Sequence, residues 1–242
     1  MNMYTHAAQI TLSSLFLFAC AGSVHGTAST LSFQSAGRTI RMAKWTAGTP
    51  GQHPAVMLLH GGGGPQLIEN DPNYTRYPLA LARAGFDVYM PYYWEATAPS
   101  DDGTPANIAA WLRSAENALA WINAQRTTKP GSVSVIGLSY GAFLGLCLSA
   151  QDPGVKAMVS FYGWLPQDRA DAVKRMPPTL ILHGSKDVLV DVKEAGALDR
   201  LLSDRKVQHE VHIYPGENHG FVGEPLEDSE RRLVAFLTQH GK

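Results

Sequence analysis

The chain has 242 residues, a formal net charge of −1 and a hydrophobic fraction of 45%. This length allows one α/β domain with a substantial buried core, and the composition excludes a disordered chain. The nearly balanced charge gives no electrostatic basis for binding nucleic acid or an anionic membrane surface.

The first thirty residues differ in composition from the rest. Residues 7–21, AAQITLSSLFLFACA, form a mildly apolar run with the length of a signal-peptide core, which is too short for a membrane span. We expect residues 1–26 to be a leader for export to a bacterial periplasm, although no Lys or Arg precedes Arg38. Without processing, we expect a cytoplasmic protein. The segment LFAC also resembles a lipoprotein box that would attach lipid to Cys20, the one membrane tether that the sequence offers.

Residues 31–242 are expected to form one domain in which short apolar strands alternate with helices. Almost continuously apolar strands between helices predict a mostly parallel twisted sheet of about seven or eight strands, with helices on both faces. We expect this α/β domain to have no large lid domain. The stretch 39–45 is interpreted as an edge strand. Further strands are predicted at 55–60, 86–91, 132–137, 155–163, 178–184 and 209–215, and helices at 77–85, 105–126, 192–203 and 227–240.

One short motif carries the strongest functional signal. Residues 137–141 read Gly-Leu-Ser-Tyr-Gly, between the apolar run SVSVI and the apolar helix former AFLGLCLSA. A G-x-S-x-G segment between a strand and a helix forms a sharp turn that projects the serine oxygen above the sheet. The glycines are needed because side chains would collide at so tight a bend. We interpret Ser139 as a candidate nucleophile, beside the N-terminal N–H groups of the following helix.

A serine hydroxyl becomes a nucleophile near neutral pH when a histidine accepts its proton and a carboxylate orients the histidine. In this architecture the acid and then the histidine follow the serine, each in a loop after a later strand. Asp187 follows the strand LILHG, and His219 follows the strand VHIYP. Because parallel strands share their carboxyl edge, we expect both side chains beside Ser139.

Nearby polar residues offer alternatives to these assignments. Asp191 is interpreted as a helix N-cap, and Glu217 as a less favoured partner of the histidine. His183, at a strand end, is interpreted as a core histidine satisfied by the backbone. His209 and His212 lie three apart on a strand and face opposite sides, so they do not form a metal site. No metal or other cofactor is expected.

A glycine run supplies a third element of the candidate site. The segment HGGGG, residues 60–64, lacks both the G-x-G-x-x-G spacing of a dinucleotide site and the Gly-Lys-Ser/Thr of a phosphate loop. Glycines allow backbone N–H groups to approach a developing oxyanion. We expect an oxyanion hole formed by the N–H of Tyr140 and by Gly62 or Gly63, in a loop shaped by His60.

With these motifs in place, the chain resembles the α/β-hydrolases and, within them, the dienelactone hydrolase family. The resemblance covers most of residues 54–240 and rests on HGGGG, VYMPYYWEAT, VSVIGLSYGA, AMVSFYG, ILHGSKDVLV and VHIYPGENHGF. It implies that Ser139, Asp187 and His219 form a catalytic triad. Typical members are similar but carry a cysteine nucleophile, and an acidic residue where this chain has HGGGG. The resemblance therefore implies a serine carboxylesterase rather than an enzyme for dienelactones themselves.

The substrate site is expected to be open, because the loop between residues 163 and 178 is too short for a large lid. The side chains expected to form its walls are apolar or aromatic, which predicts a small to medium substrate with apolar or aromatic groups. No charged side chains that could bind a carboxylate or phosphate are evident. The alternative is that some of these side chains only pack loops against the sheet. The candidate wall residues are Tyr93, Trp94, Trp164, Leu189 and Phe221, with Tyr92 and Leu165 beside them.

The sequence therefore predicts a serine hydrolase that cleaves carboxylic esters or lactones through an acyl-serine intermediate. One alternative is a small serine peptidase similar to the catalytic domains of oligopeptidases. Another is an exported binding protein that keeps the fold without catalysis. The expected partner is a small-molecule substrate, and both a monomer and a dimer remain open.

Mass spectrometry of the mature protein tests the leader prediction. If residues 1–26 direct export, the protein begins after a small-residue cleavage site within 19–26, and a diacylglycerol adduct on Cys20 would identify the lipid-anchored form. A mature protein that still begins at Met1 would contradict the prediction.

Overall fold

The computed structural model describes residues 28–62, 73–98 and 103–242. The predicted leader with Cys20, and Gly63 of the glycine run, lie outside these residues. In the described ranges, every helix falls short of the length or the apolar character that a transmembrane span requires.

A single eight-stranded sheet forms the centre of the molecule, in the order β1-β2-β4-β3-β5-β6-β7-β8. Strand β2 is antiparallel to both neighbours, and strands β3 to β8 are parallel to one another. The predicted mostly parallel sheet is thus confirmed. The strands are β1 (Ser29–Ser35), β2 (Arg38–Trp45), β3 (His53–Leu59), β4 (Asp87–Pro91), β5 (Thr128–Leu138), β6 (Val155–Phe161), β7 (Thr179–Gly184) and β8 (His209–Tyr214).

Helices cover both faces of this sheet. The described helices are α1 (Asn73–Arg83), α2 (Pro105–Asn123), α3 (Tyr140–Gln151), α4 (Gln167–Ala172), α5 (Lys193–Asp204) and α6 (Gly223–His240), with a 3-10 turn at Tyr93–Ala96. The apolar side chains of α1 and α6 pack on one face, and those of α2, α3 and α5 pack on the other. Strand side chains alternate between these two layers, as the pleat requires, so both faces of the sheet are buried.

The edge of the sheet differs from the sequence-based prediction. The stretch 39–45 was expected at an edge, but β2 is the second strand, because β1 pairs along it from Ser29–Lys44 to Ser35–Arg38. Strand β1 buries only Phe33 and Ser35. Its sequence therefore has little of the apolar pattern by which strands are identified.

An ion pair ties the antiparallel part of the sheet to its parallel part. The Asp87 carboxylate is 2% exposed and lies 2.9 Å from the Lys44 Nζ atom. It also accepts a hydrogen bond from the backbone N–H of Ala47 at 3.0 Å. Burial lowers the pKa of Lys44, but its hydrogen bonds with Tyr89 and Asp87 outweigh burial and raise the pKa overall. Lys44 is therefore charged at neutral pH.

We expect Asp87→Ala to lower the free energy of unfolding by about 3–5 kcal/mol, because it leaves a mostly buried ammonium group without its counter-ion. Urea unfolding at pH 7 measures the loss. The control is Asp199→Ala, which removes a carboxylate that is 47% exposed and pairs with His209. This change should cost less than about 1 kcal/mol. Equal losses in the two variants would contradict the assigned importance of the Lys44–Asp87 pair.

Candidate active site

Ser139 lies in a sharp turn between β5 and α3, as its motif predicts. Its backbone has φ +53°, a conformation that is costly for a residue with a side chain. A Cβ atom at Gly137 would collide with the backbone of Ala142, and one at Gly141 would collide with the carbonyl group of Leu59. Gly137 is therefore required for the tight turn from β5 into α3, and Gly141 for α3 to pack against the end of β3.

The structure brings Ser139, His219 and Asp187 together through two hydrogen bonds. The Ser139 Oγ atom lies 2.8 Å from His219 Nε2. His219 Nδ1 lies 2.8 Å from Asp187 Oδ2. An ionised carboxylate only accepts hydrogen bonds, so Nδ1 carries the imidazole proton and Nε2 is free to accept the serine proton. This arrangement can transfer a proton from the hydroxyl to the ring.

The Asp187 side chain is fully buried and has several donors besides His219. Its Oδ1 atom accepts hydrogen bonds from the backbone N–H groups of Leu189 and Val190, each at 2.9 Å. His183 Nε2 lies 3.4 Å from Oδ2 but is closer, at 2.9 Å, to the carbonyl oxygen of Val190. Burial lowers the pKa of His183, so the ring is neutral near pH 7. The prediction of a core histidine is confirmed, and the backbone satisfies its Nε2 atom, whereas Nδ1 is buried without a hydrogen-bond partner among the described residues.

Glu217 and Asp191, the two alternatives to Asp187 as partner of His219, form hydrogen bonds with other groups. Glu217 Oε2 accepts a hydrogen bond from the N–H of Val222 at 3.1 Å, within its own loop. Asp191 Oδ1 accepts one from the N–H of Lys193, the first residue of α5, at 2.9 Å. The N-cap position itself is Val192, so Asp191 bonds to the helix start from one residue further out than predicted. Asp187 is therefore the carboxylate in contact with His219.

Asn218, which the sequence analysis did not identify, joins the loops that carry the acid and the histidine. Its Oδ1 atom accepts hydrogen bonds from the N–H of Val188 at 3.0 Å and from its neighbour His219 at 2.7 Å. An asparagine before a candidate histidine is a weak sequence signal, because Asn is common in loops of all kinds.

The glycine loop passes directly beside Ser139. The N–H of Gly61 donates to the Tyr74 hydroxyl at 2.8 Å, which fixes the loop. A Cβ atom at Gly61 would lie 3.4 Å from that of Ser139. Gly62 is exposed and lines the cavity above Ser139. Tyr140 is the first residue of α3, so its N–H points out of the helix end beside the serine.

His60 and Tyr93 support this loop from below. Burial lowers the pKa of His60 to about 4, so the ring stays neutral near pH 7. The ring stacks on Tyr93 with centroids 4.1 Å apart, and the Tyr93 hydroxyl donates to the His60 carbonyl oxygen at 2.8 Å. Tyr93 is completely buried and does not line the cavity. Its expected place in the pocket wall is therefore corrected to a supporting position.

A cavity of about 720 Å³ opens above Ser139. Leu189 and Phe221 line it, as expected. Trp94 and Trp164 do not line it and instead pack their rings against Tyr140, with centroids 6.5 and 5.5 Å away. The cavity is lined by Gly61, Gly62, Tyr74, Ser139, Tyr162, Leu189 and residues 216–222.

Tyr162 is a second residue that sequence reasoning missed. It follows β6 with φ +39°, and its ring lies 4.5 Å from that of His219, centroid to centroid. Its N–H donates to the carbonyl oxygen of Leu182 at 2.7 Å, which holds this unusual backbone conformation in place. The predicted strand over 155–163 ran through Tyr162 and so concealed the turn that aims its ring at the imidazole.

Two further kinds of group that can support chemistry are a free cysteine and a cluster of metal-ligating side chains. Cys147 is buried in α3, and burial raises the pKa of its thiol to about 11. Across the described part of the chain, no group of three His, Cys, Asp or Glu side chains is arranged to hold a metal ion.

Comparisons with known proteins agree with this fold. The profile of the dienelactone hydrolase family matches residues 45–232. A carboxymethylenebutenolidase homolog from Mus musculus is 25% identical over 192 residues, which cover 70% of this chain and 77% of the relative. The crystal structure of a dienelactone hydrolase from Anabaena variabilis superimposes with a TM-score of 0.73 at 18% identity, covering 89% of this chain and 99% of that one. A Mycobacterium tuberculosis puromycin-hydrolyzing peptidase has a TM-score of 0.73 at 18% identity, but only 39% of its length is covered.

Proposed function

The chain belongs to the dienelactone hydrolase family, and on that premise we propose that it hydrolyses carboxylic esters or lactones through an acyl-serine intermediate. The observation that carries the proposal is the continuous contact from Ser139 Oγ through His219 to Asp187, with both hydrogen bonds at 2.8 Å. A hydroxyl, an imidazole and a carboxylate in this order are the groups that acyl transfer requires.

In the first half of the reaction, Ser139 Oγ attacks the carbonyl carbon of the ester while its proton passes to His219 Nε2. The Asp187 carboxylate, buried and hydrogen-bonded to Nδ1, stabilises the imidazolium that forms. The carbonyl oxygen becomes an oxyanion, for which the N–H groups of Tyr140 and Gly62 are the candidate donors. Loss of one such donor costs on the order of 3 kcal/mol in the transition state.

The first half ends when the bond between the acyl carbon and the alcohol oxygen breaks, the imidazolium donates its proton to that oxygen, and the acyl group remains on Ser139. The second half is hydrolysis of this acyl-serine. Water then enters, gives a proton to Nε2 and attacks the acyl carbon. The returning proton restores the serine hydroxyl and releases the acid. The Tyr162 ring packs against the imidazole, with centroids 4.5 Å apart, and so restricts its rotation.

A serine peptidase remains the second candidate, because part of a puromycin-hydrolyzing peptidase chain shares this fold. Fold alone does not separate the two reactions. The family match over residues 45–232 favours esters and lactones. Peptide amides assayed beside esters distinguish the candidates directly.

We expect Ser139→Ala to abolish hydrolysis of a short-chain chromogenic ester, with kcat lower by about 10⁶-fold, because the nucleophile is removed. Circular dichroism and cooperative unfolding verify that the fold is retained. The matched control is Ser203→Ala, an exposed serine on α5, which should keep the parent activity. Undiminished activity in Ser139→Ala would refute the mechanism, and no activity in the parent protein would favour a binding protein of the same fold.

We expect Asp187→Asn to lower kcat by about 10³- to 10⁴-fold, because an amide no longer holds the proton on His219 Nδ1. Asp191→Asn, four positions along the same loop, should stay within a factor of about two, because the asparagine Oδ1 atom can still accept the hydrogen bond from the N–H of Lys193. Steady-state kinetics with the same chromogenic ester measure both variants. The reverse order of the two losses would assign the acid to Asp191.

A further inference from the structure

The mouth of the cavity carries an unusual concentration of exposed apolar side chains. In the ranges that the structure describes, four large hydrophobic side chains are exposed: Val188, Leu189, Val211 and Val222. Three of them, at 78%, 74% and 72% exposure, lie on the two loops that carry Asp187 and His219. Clustered exposed apolar side chains on a folded domain mark a surface that contacts a ligand or partner.

The proposed mechanism places one part of the substrate on this surface. The departing alcohol oxygen must lie within hydrogen-bond distance of His219 Nε2, because the imidazolium protonates it. The alcohol group therefore extends over the His219 side of the cavity, away from Gly62. Tyr162, Leu189, Phe221 and Val222 line the same cavity as His219 and form its apolar wall. Contact between an apolar alcohol group and this wall lowers the free energy of binding, because it removes apolar surface from water.

The charges around the cavity are unfavourable for an anionic substrate. Among the described residues that line the cavity, Glu217 is the one carboxylate, and none is a Lys or an Arg. Lys186, beside Asp187 in the sequence, is exposed and does not line the cavity. The segments 63–72 and 99–102, outside the described part, contain four carboxylates and no Lys or Arg in their sequence, so they supply no cation. A second carboxylate in the cavity would face Glu217 without a counter-charge.

We infer that this site selects neutral esters with an apolar alcohol group and rejects esters whose alcohol group carries a carboxylate. The inference rests on the proposed function, since it assigns a substrate class to the same site. It assigns two independent contributions to substrate preference: contact with the apolar rim, defined here as Leu189 and Val222, and repulsion by Glu217.

The charge contribution is tested with two esters of similar shape, methyl 4-acetoxybenzoate and 4-acetoxybenzoate. Each kcat/KM is divided by the alkaline hydrolysis rate of the same ester, which removes the difference in leaving-group reactivity. We expect the neutral ester to be preferred by about tenfold, and Glu217→Gln to narrow this ratio severalfold. Glutamine retains an oxygen that accepts the hydrogen bond from Val222, so the loop is preserved. An equal or higher value for the anion in the parent protein would overturn the inference.

The apolar contribution is tested with acetate esters of increasing alcohol length, from methyl to hexyl acetate. We expect kcat/KM to rise with length, and Val222→Ser and Leu189→Ser to lower the hexyl-to-methyl ratio by about three- to tenfold. Val211→Ser is the matched control, because Val211 is an exposed valine on β8 outside the cavity. It should leave the ratio unchanged. Equal ratios in Val222→Ser, Leu189→Ser and the parent protein would overturn the inference.

The same assays separate this inference from the proposed function. If the folded protein cleaves esters of both series without the expected preferences, the substrate class is wrong and the hydrolase mechanism stands. If the folded parent protein cleaves none of these esters, the proposed function and the inference both fail.

Discussion

The candidate site depends on the close approach of helix α3 to the end of strand β3. Gly141 allows the helix backbone to lie against the carbonyl groups of Leu59 and His60, where a Cβ atom would collide. This approach fixes Ser139 at φ +53° and places the N–H of Tyr140 beside it. The proposed nucleophile and one proposed oxyanion donor are therefore positioned by the same backbone contact, and any displacement of the helix would move both.

The other half of the site is held by backbone hydrogen bonds rather than by long side chains. Asp187 accepts two N–H groups of its own loop, and Asn218 joins that loop to the one carrying His219. Groups fixed in this way before substrate arrives need little reorganisation during the reaction. The apolar rim lies on the same two loops, so the candidate catalytic groups and the proposed substrate surface share one support.

The parts of this arrangement that sequence reasoning predicts are those with strong local signals. Gly137 and Gly141 around Ser139 identify the turn, and the order of Asp187 and His219 after later strands places them at one edge. Tyr162 was missed because its contact with the imidazole depends on a positive φ that no local pattern announces. The sequence predicts Tyr93 in the cavity wall, but an aromatic residue close to a site in the sequence can face either the cavity or the core, and Tyr93 is buried in the core. Only packing decides between these positions, and packing is a property of the folded chain.

The measurement that tests the central claim most directly is covalent labelling with a fluorophosphonate, located by peptide mass spectrometry. Such a reagent phosphonylates a serine only where a base removes its proton and donors stabilise the resulting charge. We expect one adduct per chain, on Ser139, and a much slower reaction in a folded His219→Ala variant. Labelling of another residue, or equal rates with and without the imidazole of His219, would contradict a site in which His219 activates Ser139.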